Sequence, residues 1–301
     1  MLVKYKHTLL GIIAILLWAC LVGLTRSVAE QFGAVGGAAL IYTVASVLLY
    51  FTIGIPKFRL LGWKNIVIAG GLFAAYEVCF SLALGFANDR HQTIEMAVIN
   101  YLWPSLTVLL AVFVSNKKVS WLIYPSILLS FVGVVWSLTG DEGLSISQFS
   151  ANVATNPLAY TLALAGAFIW AIYCNVTKKL SNGYNGITLF FIFTSIVLWV
   201  HYFSSDQPPL IFTLESSLNL LVTAIVMGSG YALWNIAIIG GNMLFLATLS
   251  YFTPILSTVF SIIILGIAIT ATFWQGVILV TIGSFMCWWV TKENNQSSKD
   301  Y

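Results

Sequence analysis

Apolar residues fill this chain in long unbroken runs, without the one-faced or alternating patterns that water-soluble folds require. Runs of about 20 residues, the length an α-helix needs to cross the hydrocarbon of a bilayer, lie near 8–25, 36–54, 65–86, 93–115 and 120–139. A second set follows near 158–178, 185–203, 217–239, 243–265 and 272–291. The pattern predicts an all-α membrane protein with ten transmembrane helices. Most connections are short. The longest, 140–157, is polar and divides the chain near its midpoint.

The two halves repeat each other. Trp18 precedes Arg26 by eight residues, and Trp170 precedes Lys178 by eight, an offset of 152 between the pairs. Asn100-Tyr101-Leu102-Trp103-Pro104 matches Ser250-Tyr251-Phe252-Thr253-Pro254 at an offset of 150, as Gly133 matches Gly283. Five spans is an odd number, so the second half enters the membrane from the opposite side. The arithmetic predicts two inverted five-helix repeats, 1–139 and 158–291, joined by 140–157 and followed by a polar tail at 292–301. Many secondary transporters use this plan, with a site near the bilayer midplane; channels can be built on it too.

Charge then orients the bundle. Only 8% of the 301 residues are charged, against roughly 25% in soluble domains, while 59% are hydrophobic, so lipid is the expected solvent. With the N-terminus cytoplasmic, eleven of the 13 Lys and Arg fall on cytoplasmic ends, leaving Arg26 and Arg90 outside. The positive-inside rule therefore predicts cytoplasmic N- and C-termini in a cytoplasmic (inner) membrane. Arg26 and Arg90 read as residues snorkelling to headgroups. Trp63, Trp121, Trp199, Trp274, Trp288 and Trp289, near span ends, read as an interfacial belt. The run after Lys4, Lys6 and His7 continues past Cys20, which predicts a retained first helix in place of a cleaved signal. Cys20, Cys79, Cys174 and Cys287 lie in apolar runs without metal-ligand spacing.

Candidate chemistry lies mid-span. Asn100, Trp103, Pro104 and Thr107 share a helix face, as do Ser250, Thr253, Pro254 and Ser257. Trp170, Tyr173, Cys174 and Thr177 form a third face, and Tyr231, Trp234 and Asn235 a fourth. Polar side chains avoid lipid, so these faces should point inward, either as glue between helices or as a cavity lining. Bulky Trp103, Trp170 and Tyr101 favour the lining. Pro104 and Pro254 each free a carbonyl one turn earlier and read as kinks or hinges. Glu77 is the one acid deep in a span. An ionised carboxylate there costs at least ~2.5–3.5 kcal/mol, so it should face a wet cavity or a partner, or hold a proton.

Enzymatic signals are weak. Gly228-Ser229-Gly230 follows Met227, so the leading glycine of an intramembrane serine-protease motif is missing, and no mid-span His could serve as base. No phosphate-binding loop, metal or haem site or nucleic-acid footprint stands out. The expected chain has no cofactor, metal or nucleic-acid partner; it works as a monomer in contact with membrane lipid.

Several contiguous segments together resemble the EamA branch of the drug/metabolite transporter superfamily. They are Val35-Gly36-Gly37-Ala38-Ala39, Tyr76-Glu77, Asn100 to Thr107, Gly166-Ala167-Phe168-Ile169-Trp170-Ala171 with Tyr173-Cys174, Asn185-Gly186-Ile187-Thr188 and Ser250 to Pro254. The resemblance covers nearly the whole length and, within the branch, points to exporters of aromatic amino acids. It implies a central cavity between the halves, alternating access, and efflux of Phe, Tyr and Trp with leakage toward cationic drugs. Candidate lining residues are then Trp18, Tyr76, Glu77, Asn100, Tyr101, Trp103, Trp170, Tyr173, Trp234, Asn235, Ser250 and Tyr251. The small multidrug members of the superfamily exchange protons on a glutamate in their first span; the run 8–25 has no acid. Proton coupling does not carry over.

Overall fold

The computed structural model describes residues 2–55, 57–103, 105–107, 109–110, 121–139, 146–180, 184–240 and 250–297. Among them the only regular structure is helical. Helix α1 spans Leu2–Phe32, α2 Ala34–Thr52 and the short α3 Phe58–Leu61; a π-turn at Asn65–Ala69 runs into α4, Gly70–Phe86. Then come α5 (Arg90–Asn100), α6 (Ile123–Thr139), α7 (Ile146–Thr155) and α8 (Pro157–Leu180). The chain continues through α9 (Ile187–Ser204), α10 (Leu214–Gly240), α11 (Thr253–Leu265) and α12 (Ala271–Ser297).

Among the described residues, six segments are long and apolar enough to cross a membrane: Lys6–Phe32, Ala34–Thr52, Asn65–Phe86, Pro157–Val176, Ile187–Ser204 and Leu214–Trp234. Ile123–Ser137, Thr253–Leu265 and Ala271–Cys287 are shorter apolar helices. Large apolar side chains such as Phe51, Phe203, Ile263 and Val200 point outward, as in a bundle whose solvent is hydrocarbon. Trp63, Trp121 and Trp289 are exposed as well. Trp199 instead turns its indole N–H onto the Thr43 hydroxyl at 2.8 Å, and Trp274 packs into the interior. The segment 140–157, expected as a loop, carries α7, whose Val153 packs on the core.

The helices pair in a cross-woven pattern. α1 packs along α10 and α11, α4 along α8, α2 along α9, and α6 along α12. Lipid offers no hydrophobic drive for such pairing, so small residues that let backbones touch decide where it happens. At the α6–α12 seam, a methyl added to Gly133 would lie 2.6 Å from the Val280 nitrogen and 2.8 Å from the Gly276 oxygen. One added to Gly283 would lie 2.6 Å from the Ser130 nitrogen and 2.7 Å from the Ser126 oxygen.

Two arginines differ from their expected place. Arg26 is buried, and its guanidinium donates to the carbonyls of Leu84 (3.2 Å), Gly85 (3.3 Å) and Ala87 (2.6 Å). These carbonyls end α4, where a cation complements the helix dipole. Arg26 also donates to Glu30 at 3.0 Å. Arg90 reaches the same carboxylate at 2.7 Å and the Leu265 carbonyl at 2.7 Å, where Gly266 turns left-handed at φ 64° to end α11. These carbonyls and Glu30 hold both guanidinium groups against the protein. Helix α1 also runs further than the apolar run 8–25, so it contains Glu30.

The seam yields a prediction. Gly283→Leu should lower stability in detergent by about 1–3 kcal/mol through overpacking. Gly71→Ala, where nothing lies within 4 Å of an added methyl, should be neutral. Melting followed by size-exclusion chromatography compares the two.

Candidate functional site

The site begins at two interruptions of the helical backbone. Helix α5 ends at Asn100, and Tyr101 and Leu102 form a turn; the Leu102 N–H reaches back only three residues, to Ile99, at 3.1 Å. After the helical residue Ser250, Tyr251 and Phe252 form the matching turn before α11. Each turn stands just ahead of a proline, which has no N–H for the carbonyl one turn back. Pro254 lies buried in the first turn of α11; Pro104 lies outside the described residues.

The two turns border one internal cavity of about 70 Å³. Helix α1 contributes Trp18, Leu21 and Val22; α4 contributes Tyr76 and Phe80; α8 contributes Trp170 and α10 Tyr231. The first turn supplies Asn100, Tyr101 and Trp103, and the second Ser250 and Thr253. The cavity occupies the seam between two apolar clusters, since Phe80 and Trp103 pack against both.

Its wall is aromatic. Trp170 lies 4.4 Å from Tyr76 between ring centroids and stacks on Tyr173 at 4.8 Å and 24°. Trp103 meets Trp170 edge-on at 87°. Trp18 packs on Tyr231 at 5.2 Å and on Trp234 at 4.9 Å. Such tilted and edge-on pairs hold rings at fixed angles and leave faces for a further ring.

Among the described lining residues none is charged. Asn100 is 2% exposed, and its amide N–H donates to the Tyr76 hydroxyl at 3.4 Å. The Trp18 Nε1, Asn100 Oδ1 and Thr253 Oγ1 are buried without a partner among the described residues. Glu77 lies behind the lining, 2% exposed, and accepts the Tyr42 hydroxyl of α2, which Ser81 approaches at 3.5 Å.

The expected residues therefore divide. Trp18, Tyr76, Asn100, Tyr101, Trp103, Trp170 and Ser250 line the cavity. Tyr173, Trp234 and Glu77 support those residues from behind, and Tyr251 is buried outside the lining. The side chain of Asn235 lies outside the described residues. Tyr42 was beyond sequence reasoning, because its partner Glu77 is 35 positions away. Leu21 and Val22 had a signal: they stand three and four residues after Trp18, on its face.

A larger concavity of about 460 Å³ lies outside α9, among Ile196, Trp199, Val200, Phe203 and Ser204. It is almost wholly apolar and suits acyl chains.

Fold and cavity together define a multi-pass α-helical membrane protein with a neutral, aromatic-walled site in its interior. Residues 157–289 match the EamA-like transporter family. The chain is 46% identical to the aromatic amino acid exporter YddG of Salmonella typhimurium, over 95% of this chain and 98% of that protein. It is 47% identical to the aromatic amino acid exporter YddG of Escherichia coli, over 96% of this chain and 99% of that protein. A solved crystal structure with 22% identity superposes with a TM-score of 0.66, covering 94% of this chain and 96% of the other, so the fold is shared. The chain belongs to the EamA-like transporter family and is a transporter, not an enzyme.

The contact behind the lining gives a second prediction. Glu77→Gln keeps an acceptor for the Tyr42 hydroxyl and should leave stability nearly unchanged. Glu77→Leu should cost about 1–3 kcal/mol by removing that buried acceptor. Thermal melting of the purified variants reads the difference.

Proposed function

We propose that this chain is a secondary transporter that exports aromatic amino acids, chiefly Phe, Tyr and Trp, across the cytoplasmic membrane. The observation that carries the reading is the cavity: a ring-lined wall with neutral hydrogen-bonding groups, in a chain nearly half identical to two aromatic amino acid exporters. Rings accept a substrate ring through stacked and edge-on contact. Asn, Ser and Thr suit a zwitterion, whose two charges need partners but no net counter-charge. A cationic drug would find no carboxylate in the lining, which weighs against it as the main substrate.

The architecture in this proposal is ten spans in two inverted five-helix repeats, with both termini cytoplasmic. Two sets of contacts support it. Residues related by an inverted repeat meet one another on its twofold axis, and Thr43 bonds to Ser195 at 2.8 Å across a separation of 152. The α6–α12 seam is reciprocal at the offset of 150: Gly133 approaches Val280 as Gly283 approaches Ser130, and Gly133 approaches Gly276 as Gly283 approaches Ser126.

Alternating access follows from size. Ligand pockets commonly measure ~300–1,000 Å³, and this cavity of about 70 Å³ is contracted. It must widen to admit an amino acid, and rocking one half against the other does this around a fixed set of side chains.

Counterflow of radiolabelled Phe into liposomes containing only this protein tests the reading. Competable flux is expected, and Trp170→Ala should reduce it about tenfold by removing the central ring of the wall. Val200→Ala, on the outer face, should leave it unchanged. Absence of competable Phe or Trp flux in the unaltered protein would overturn the substrate assignment.

A further inference from the structure

The cavity lining holds three buried polar atoms with no partner among the described residues, the Trp18 indole N–H, the Asn100 Oδ1 and the Thr253 hydroxyl, and the last two sit at helix ends of opposite polarity. Asn100 is the last residue of α5, at the carbonyl end, where the backbone dipoles favour a cation. Its amide N–H is engaged by the Tyr76 hydroxyl, which fixes the amide and leaves Oδ1 as an unmet acceptor. Gly166 of α8 faces this amide. A methyl there would lie 3.5 Å from Oδ1, in contact with it.

Thr253 is the first residue of α11, at the N–H end, where the dipoles favour an anion. It is 8% exposed, its hydroxyl has no partner, and the preceding Phe252 offers no side-chain cap. Buried polar groups in native folds are nearly always paired, and an unpaired one calls for an explanation. Here one bare acceptor and one bare hydroxyl border the same space as Trp103 and Trp170.

We infer that Asn100 holds the α-ammonium and Thr253 the α-carboxylate of the transported amino acid, which fixes its orientation with its ring against Trp170. This rests on the export reading above. It goes further by assigning each charge of the substrate to its own helix end, and it makes α-amino acids with both charges the preferred ligands over amines or acids bearing one.

Two half-substrates separate the ends. Phenethylamine keeps the ammonium and 3-phenylpropionate keeps the carboxylate; each is titrated as an inhibitor of Phe counterflow. Asn100→Leu should weaken phenethylamine about tenfold, the scale of one hydrogen bond to a charged group, and leave 3-phenylpropionate unchanged. Thr253→Val should do the reverse, and Phe should lose affinity in both. Gly166→Ala, a milder change that sets a methyl against Oδ1, should follow Asn100→Leu. Equal weakening of both analogues in each variant, or no change in either, would overturn the assignment. The same ligands are also read by thermal stabilisation of the detergent-solubilised protein, which needs no flux. If the unaltered protein moves no Phe, the export reading fails, while the stabilisation pattern still decides whether these two residues discriminate the charges.

Discussion

Hydrocarbon cannot hydrogen-bond to a peptide group, and this governs where the chain can be anything but helical. A buried amide without a partner costs several kcal/mol, so a chain crossing lipid stays helical wherever lipid can reach it. Irregular backbone is tolerated only inside the protein or beside a cavity. The turns at Tyr101-Leu102 and Tyr251-Phe252 meet this condition, since Tyr101 and Tyr251 are both buried and both turns border the internal space. Proline therefore has opposite consequences by location. Facing lipid it would expose a carbonyl at a penalty; inside the protein, neighbouring groups can meet that carbonyl.

Holding those turns together requires helices that approach closely without a hydrophobic drive. Glycine and serine at the α6–α12 seam bring backbone against backbone. Arg26 and Arg90 tie the ends of α4 and α11 to Glu30 of α1. These contacts are short-range and shape-dependent, so they set the relative position of helices that contribute to the cavity. Tyr76 meets Trp170, and Trp18 meets Tyr231, across helices distant in sequence, because the helix axes are fixed first.

Much of this was legible in the residue order. The apolar runs gave the helices, and the paired Tyr and Pro motifs marked both backbone turns. Trp18, Asn100, Trp103, Trp170 and Ser250 stood out because Trp and polar groups at mid-span need a reason. Which face of a helix is buried was less visible, since helices apolar all round carry no amphipathic signal. In α2, Val47 is 53% exposed while Tyr42 and Ala45 are fully buried, yet all lie in one hydrophobic run. Tyr42 therefore carries no sequence mark, whereas Tyr231 shares a candidate face with Trp234 and Asn235. Arg26 was misread for a related reason: its partners are backbone carbonyls of another helix, which no side-chain pattern announces.

The neutrality of the cavity follows from what a carrier must do. A carboxylate or guanidinium in the lining would bind one end of a zwitterion strongly, because Coulomb attraction rises steeply as water is excluded. It would also be left without a partner each time the substrate departed, at the cost of an unpaired buried charge. Dipoles avoid both problems. An amide oxygen at the carbonyl end of α5 and a hydroxyl at the N–H end of α11 attract opposite charges, yet each stays tolerable when empty. In the proposed reading selectivity falls to the rings, whose fixed angles reward an aromatic side chain through contact area and quadrupole alignment. Glu77 fits the same logic. It stands behind the lining, held by Tyr42, so its charge chemistry is kept away from the substrate while Tyr76, its neighbour in sequence, faces inward.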